Sequence, residues 1–199
     1  MTRKRTIKIL PVLAALATVA CQILPPRDVF VQRLTLQHPN NPHALFMEGK
    51  SYLAQGNPSK AAARFRAALR LQPDFEEARL GLAHAYREMG CHKRARGVYR
   101  EVLAKSPRNV RALEGLAVVQ ARLGQPEEAE TLLKTALEID PKSVSTLNAL
   151  ADFYYNRRRY SEALRCWEES LRLDPNQSAL NPLVEDLRGY VRKYSSSPR

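Results

Sequence analysis

Apolar residues along this chain return at intervals of three and four, the spacing of one helix face, and the whole pattern returns every 34 residues. Pro39, Pro73, Pro107, Pro141 and Pro175 stand 34 apart. The same interval links Gly56, Gly90 and Gly124, and also Ala61, Ala95, Ala129 and Ala163. It links the large side chains of Phe65, Tyr99, Leu133 and Trp167 as well. Each column predicts a mechanical role. The glycines fall where one helix ends and the chain turns through left-handed backbone angles into the next. The alanines mark a close helix crossing, the large residues fill the space beside it, and the prolines stop the second helix of each unit. The expected unit is a helical hairpin. No single hairpin buries its own apolar face, so stability has to come from the stacking of neighbours, and Tyr154 and Trp167 are read as packing residues.

This pattern resembles the tetratricopeptide repeat over residues 42–177, with full units at 42–75, 76–109, 110–143 and 144–177. The first-helix signature reads Leu45, Gly49 and Tyr52 in the first unit, and Leu82, Ala83 and Tyr86 in the second. It reads Leu113, Leu116 and Ala117 in the third, and Leu147, Leu150, Ala151 and Tyr154 in the fourth, followed by Ala163 and Trp167. Glu48 stands in place of a Leu, Gln120 in place of a Tyr, and Arg158 in place of the turn glycine, where it is expected to strain the turn. The resemblance implies an all-α, right-handed superhelical solenoid of four full repeats. Residues 28–41 read as the second helix of a truncated repeat, with Val31 and Leu34 packing inward. Residues 178–194 read as a capping helix, whose apolar positions Leu180, Leu183, Val184, Leu187 and Val191 share one side. Residues 195–199 form a polar tail.

In that family the first helices line a concave groove that holds peptides or helices. Carried onto this chain, the groove takes Phe46, Lys50 and Leu53 from the first unit and Leu80, His84 and Arg87 from the second. The third gives Arg111, Val118 and Arg122, and the fourth gives Asp152 and Tyr155. The mixed lining suits an amphipathic protein segment better than a small metabolite. Chaperone-binding relatives grip a carboxylate with a Lys/Asn/Asn/Lys/Arg set. The matching positions here are Phe46, Lys50, Gly81, Arg111 and Gly115, and only Arg111 keeps the chemistry.

Catalytic and metal chemistry find little footing. Cys91-His92 has no third group to orient it, Glu88 stands where a haem-attachment motif needs a cysteine, and Cys166 beside Trp167 reads as a small packing residue. There is no phosphate-binding glycine loop of the G-x-x-x-x-G-K-[ST] type and no G-x-S-x-G nucleophile motif. The expectation is a non-enzyme with no cofactor and no metal.

The formal net charge of +12 changes the picture only at the amino terminus, where Arg3, Lys4, Arg5 and Lys8 precede an apolar run from Ile9 to Ala20. This is the layout of a secretory signal at 1–20, too short for the roughly 20 residues of a spanning helix. Ala17-Thr18-Val19-Ala20-Cys21 resembles the lipobox of bacterial lipoproteins, although Thr18 stands where Leu, Val or Ile is usual. It implies a lipid on Cys21 and a linker over 21–27. An ordinary signal, an uncleaved anchor and a basic mitochondrial leader are the other readings. The size and layout are similar to small tetratricopeptide lipoproteins of type IV pilus or other envelope assembly. The expected function is therefore a lipid-anchored scaffold facing the periplasm, with Gln22 favouring the outer membrane. Its expected partners are a protein segment and the membrane, with neither nucleic acid nor a small-molecule substrate. The alternative is a membrane-anchored, cytosolic or organelle adaptor in a chaperone or import pathway, without the carboxylate clamp.

Overall fold

The computed structural model describes residues 41–195; the leader at 1–20, Cys21, the linker, all but the last residue of the truncated repeat and residues 196–199 lie outside the described residues. Among the described residues the chain forms four helix pairs and a closing helix. The pairs are α1 (Pro42–Ala54) with α2 (Pro58–Leu71), α3 (Glu76–Glu88) with α4 (His92–Lys105), α5 (Val110–Arg122) with α6 (Pro126–Ile139), and α7 (Val144–Asn156) with α8 (Tyr160–Leu173). Helix α9 (Leu180–Ser195) closes the array, and no described helix is long and apolar enough to cross a membrane.

Local chemistry sets the boundaries. The Asn41 side chain accepts hydrogen bonds from the backbone N–H groups of His43 and Ala44, at 2.9 and 3.2 Å, satisfying donors that α1 leaves free. Asn109 and Ser143 cap α5 and α7 in the same way. The first three hairpins turn at Gly56, Gly90 and Gly124, with φ of +70, +71 and +78°, and the fourth turns at Arg158 with φ of +59°. Arginine thus sits in the left-handed region that costs an L-residue with a side chain about 1–2 kcal/mol. Each second helix stops two residues before a proline of the repeat, because the residue preceding proline is pushed into extended backbone.

Packing follows the sequence columns. Ala61, Ala95, Ala129 and Ala163 are fully buried, and Phe65, Tyr99, Leu133 and Trp167 are at most 3% exposed. The large residue of each second helix reaches the first helix of its own unit and of the next. A Cβ built on Gly49 or Gly81 would stand 2.6 or 2.7 Å from the Phe65 ring, and one on Gly115 would overlap the Tyr99 ring. Aromatic ring and missing side chain are therefore a matched pair across each of these two junctions. At the third junction the pair is Leu133 and Ala149, and α6 meets α7 more loosely than α4 meets α5 or α2 meets α3. Consecutive first helices touch one another whereas consecutive second helices do not, which puts α1, α3, α5 and α7 on the inner, concave side.

Polar groups pin the register. Glu76 accepts hydrogen bonds from Ser106 and from the α5 cap Asn109 at the far end of its own unit, and Glu114 accepts them from Ser145 and Thr146 of the next unit, at 2.8 and 2.6 Å. Two departures from the repeat signature are buried: Glu48 is ion-paired with Arg64 at 3.0 Å, while neither amide atom of Gln120 has a protein partner. Arg159 is half-buried. It binds Glu130 at 2.7 Å and Glu162 at 2.9 Å, and its guanidinium lies over the Tyr154 ring. Helix α9 buries Val184 and Leu187 against the Trp167 core, but Leu183 stays 37% exposed, so the capping face is narrower than the apolar spacing suggests.

Replacing Gly115 with Ala should cost about 1–3 kcal/mol by overpacking the Tyr99 ring. Adding Tyr99→Leu, which recreates the Leu133–Ala149 pair, should recover most of that loss. A urea-unfolding double-mutant cycle checks it, and additive losses would contradict the pairing.

Candidate functional site

The inner face carries a trough built from the spacing of three helices. Leu80, His84 and Arg87 lie on one stripe of α3, and Arg111, Val118 and Arg122 on the facing stripe of α5, because residues three, four and seven apart share a helix side. Between these helices lies a depression of about 300 Å³, lined by Leu80, His84, Arg87, Arg111, Glu114, Gly115 and Val118, with Tyr99 behind and Ala149 at one side. A second depression of about 640 Å³ follows between α5 and α7. Ala117, Ala121, Leu133, Ala149 and Phe153 give it an apolar floor, and Arg122, Asp152, Asn156 and Arg157 stand around it. Val118 and Ala149 line both, so the two form a continuous trough from α3 to α7.

The first depression carries a charge cluster that is compensated in part. Arg87 bonds Glu88 at 2.9 Å, and His84 Nε2 lies 3.3 Å from the same carboxylate oxygen. The Arg87 hydrogen bond holds the Glu88 carboxyl below the usual range. Burial pushes the His84 imidazole down, helped by Arg87 and opposed by Glu88, so the neutral ring is favoured. Burial also pushes the Tyr99 phenol up. Arg111 is exposed and makes no ion pair among the described residues. In the second depression burial raises the Asp152 carboxyl, against a hydrogen bond from the Trp167 indole. These groups hold their places through packing and pairing, and they offer donors, a carboxylate and apolar surface to a chain laid along them.

The structure brings together Leu80, His84, Arg87, Arg111 and Val118 in one depression and Val118, Arg122 and Asp152 in the other. Four of the expected groove residues line neither. Phe46 packs between Phe65 and Phe75, with ring centroids 5.8 and 5.1 Å away, and the Lys50 ammonium lies 5.7 Å from the Phe46 ring. Leu53 packs on the core under α2, and Tyr155 stacks on Tyr160 and Trp167 at 5.5 Å each. Sequence reasoning missed Tyr99, Ala149, Phe153 and Arg157. Tyr99 lies on a second helix, and only the pairing of its column with Gly115 signals that it reaches the groove. At the clamp positions Gly81 and Gly115, aromatic rings fill the space a polar side chain would need.

Cys91 stands just before α4 without a side-chain capping bond, and His92 beside it has Nδ1 buried without a protein partner. Burial pushes the Cys166 thiol up, away from thiolate reactivity. Among the described residues no three His, Cys, Asp or Glu side chains gather into a metal-holding group.

One family model described as tetratricopeptide repeat matches residues 80–144, and a second with the same description matches residues 52–98 and 124–187. Among solved structures, a thermophilic tetratricopeptide repeat protein from Thermus thermophilus superposes with a TM-score of 0.73 at 23% identity. That alignment covers 80% of this chain and 87% of the other. A MamA fragment from Desulfovibrio magneticus gives a TM-score of 0.61 at 20% identity, over 74% of this chain and 84% of that one. A further MamA structure gives 0.59 at 19% identity, over 75% and 87%. These likenesses show the fold. No curated protein sequence matches significantly.

Because the folded chain holds His84 below its ordinary pKa of 6.5, the unfolded chain takes up that proton first, and stability is lost as pH falls through 6.5. Urea midpoints at pH 7.5 and 5.5 should fall more for the wild type than for His84→Gln. An equal fall in both proteins would contradict this.

Proposed function

Since the chain belongs to the tetratricopeptide repeat family, we propose that it is a non-catalytic scaffold holding a segment of another protein in the trough between α3, α5 and α7, working from a bacterial envelope membrane to which Cys21 ties it. The observation that carries the binding part is the continuity of the trough. Two depressions share Val118 and Ala149, and along them apolar floor alternates with charged side chains. An extended or helical segment presents apolar and polar groups in that alternation, whereas a small molecule needs convergent polar groups in one enclosed pocket. Successive first helices are held in register through Glu76, which reaches the α5 cap Asn109, and through Glu114, which reaches Ser145 and Thr146.

The envelope part rests on the sequence. A basic start, an apolar run and small residues before Cys21 are what a lipoprotein signal peptide requires, and an acyl anchor would hold the repeats at a membrane face without a spanning helix. A role in assembling an envelope machine such as a type IV pilus follows from that location and from the trough together. Gln22 after the candidate lipidated cysteine favours the outer membrane.

Charge reversal of Arg87 and Arg122 together should weaken co-purification of the native partner at least about tenfold while the circular dichroism spectrum stays helical. Undiminished capture would reject the trough. Intact mass of the protein from its native membrane fraction should correspond to a chain beginning at Cys21 plus acylated glycerol, and Cys21→Ser should abolish that species. A mass beginning at Met1 without modification would move the protein to another compartment.

A further inference from the structure

We infer that the depression over Leu133 is a socket for an aromatic side chain of the bound segment, with a carboxylate beside that side chain on the same segment; the inference rests on the trough being the binding site. Three of the four units fill the corresponding place with their own ring, from Phe65, Tyr99 or Trp167, all nearly fully buried. The third unit has Leu133. The next first helix does not make up the difference, since Ala149 adds only a methyl where the preceding helices carry Gly81 and Gly115.

The consequence is visible in the packing. The α6–α7 junction is the loosest of the three between units, and the depression that opens there, about 640 Å³, is about twice the 300 Å³ of the one before it. Its floor consists of Ala117, Ala121, Leu133 and Ala149, all small or aliphatic, with the Phe153 ring on one wall. A planar ring can lie flat on such a floor and offset against Phe153, while a polar ligand would find no set of donors there.

The rim chooses the neighbour of that ring. Arg122 makes no ion pair among the described residues, and Arg157 reaches only the exposed Glu127, at 4.0 Å. Two guanidinium groups at the mouth of an apolar socket favour a carboxylate adjoining the ring and can stack on its outward face. Asp152, beside Phe153 on α7, is an acceptor for an indole or phenol donor of the incoming ring. A segment with aromatic and acidic residues next to each other satisfies every group.

The probe is a fluorescein-labelled peptide with the core Glu-Trp-Glu, compared with the same peptide carrying Ala for Trp and with one carrying Lys for both Glu, each titrated into the full-length chain by anisotropy. The Glu-Trp-Glu peptide should bind at least about tenfold more tightly than either relative. Leu133→Phe, which installs the ring used by the first unit against the Ala149 methyl, should lower its affinity at least about tenfold and lower the urea midpoint by overpacking, with helicity intact. Ala121→Leu narrows the mouth from the exposed side of α5 and should give the same loss with helicity intact, so the test survives if Leu133→Phe misfolds. Equal or undetectable binding of all three peptides overturns the socket, as does undiminished binding to the folded variants. If reversal of Arg87 and Arg122 abolishes capture of the native partner while Leu133→Phe leaves it untouched, the trough stands and the socket falls.

Discussion

The structure depends on one repeated contact: the large side chain of each second helix, reaching between the first helices of its own unit and of the next. A hairpin of two amphipathic helices has apolar surface on both flanks and cannot bury it alone. The ring of Phe65 meets that need because Gly49 and Gly81 on either side have no Cβ to keep it out. Tyr99 and Gly115 repeat the arrangement one unit on. From this single contact follow the stacking direction, the close approach of the first helices and the inner face they share. The groove is therefore the other side of the core: what fills each junction from behind decides how deep the face is in front.

That dependence explains what could be read in the sequence. The fold was legible because its determinants are short-range and repeat at a fixed interval: prolines that stop helices, glycines with φ near +70°, alanines at crossings and one large residue per unit. The departures were legible too. Arg158 takes the left-handed turn that glycine takes elsewhere, and Glu48 and Gln120 occupy buried places that the repeat signature gives to Leu and Tyr. The groove was legible only in part. Position along a helix tells which side a residue faces, but a neighbouring element can claim it. Phe46 is drawn between Phe65 and Phe75, Tyr155 is drawn onto Trp167 and Tyr160, and Arg159 is captured by Glu130 and Glu162. Apart from Glu162, three residues after Arg159, none of these partners lies at a distance that the period of the sequence reveals.

Charge is distributed in the same unit-by-unit fashion. On the outer side, α2 and α4 carry Lys60, Arg66, Arg70, Lys93 and Arg94, whereas α6 begins with Glu127, Glu128 and Glu130. In the first half of the trough Arg87 and Glu88 satisfy each other while Arg111 makes no ion pair among the described residues, and in the second Arg122 likewise stands without one. Apolar depth and uncompensated cation thus coincide at the same junction, between α5 and α7, where the proposed recognition takes place.

The aromatic socket turns on the Leu133 junction being the weak coupling in an otherwise tightly stacked array. Native-state amide hydrogen exchange across the helices measures that coupling directly, since protection reports the free energy of local opening. A weak junction predicts faster exchange in α6 and α7 than in α4 and α5. Equal protection across the two junctions, or stronger protection at α6 and α7, would contradict it.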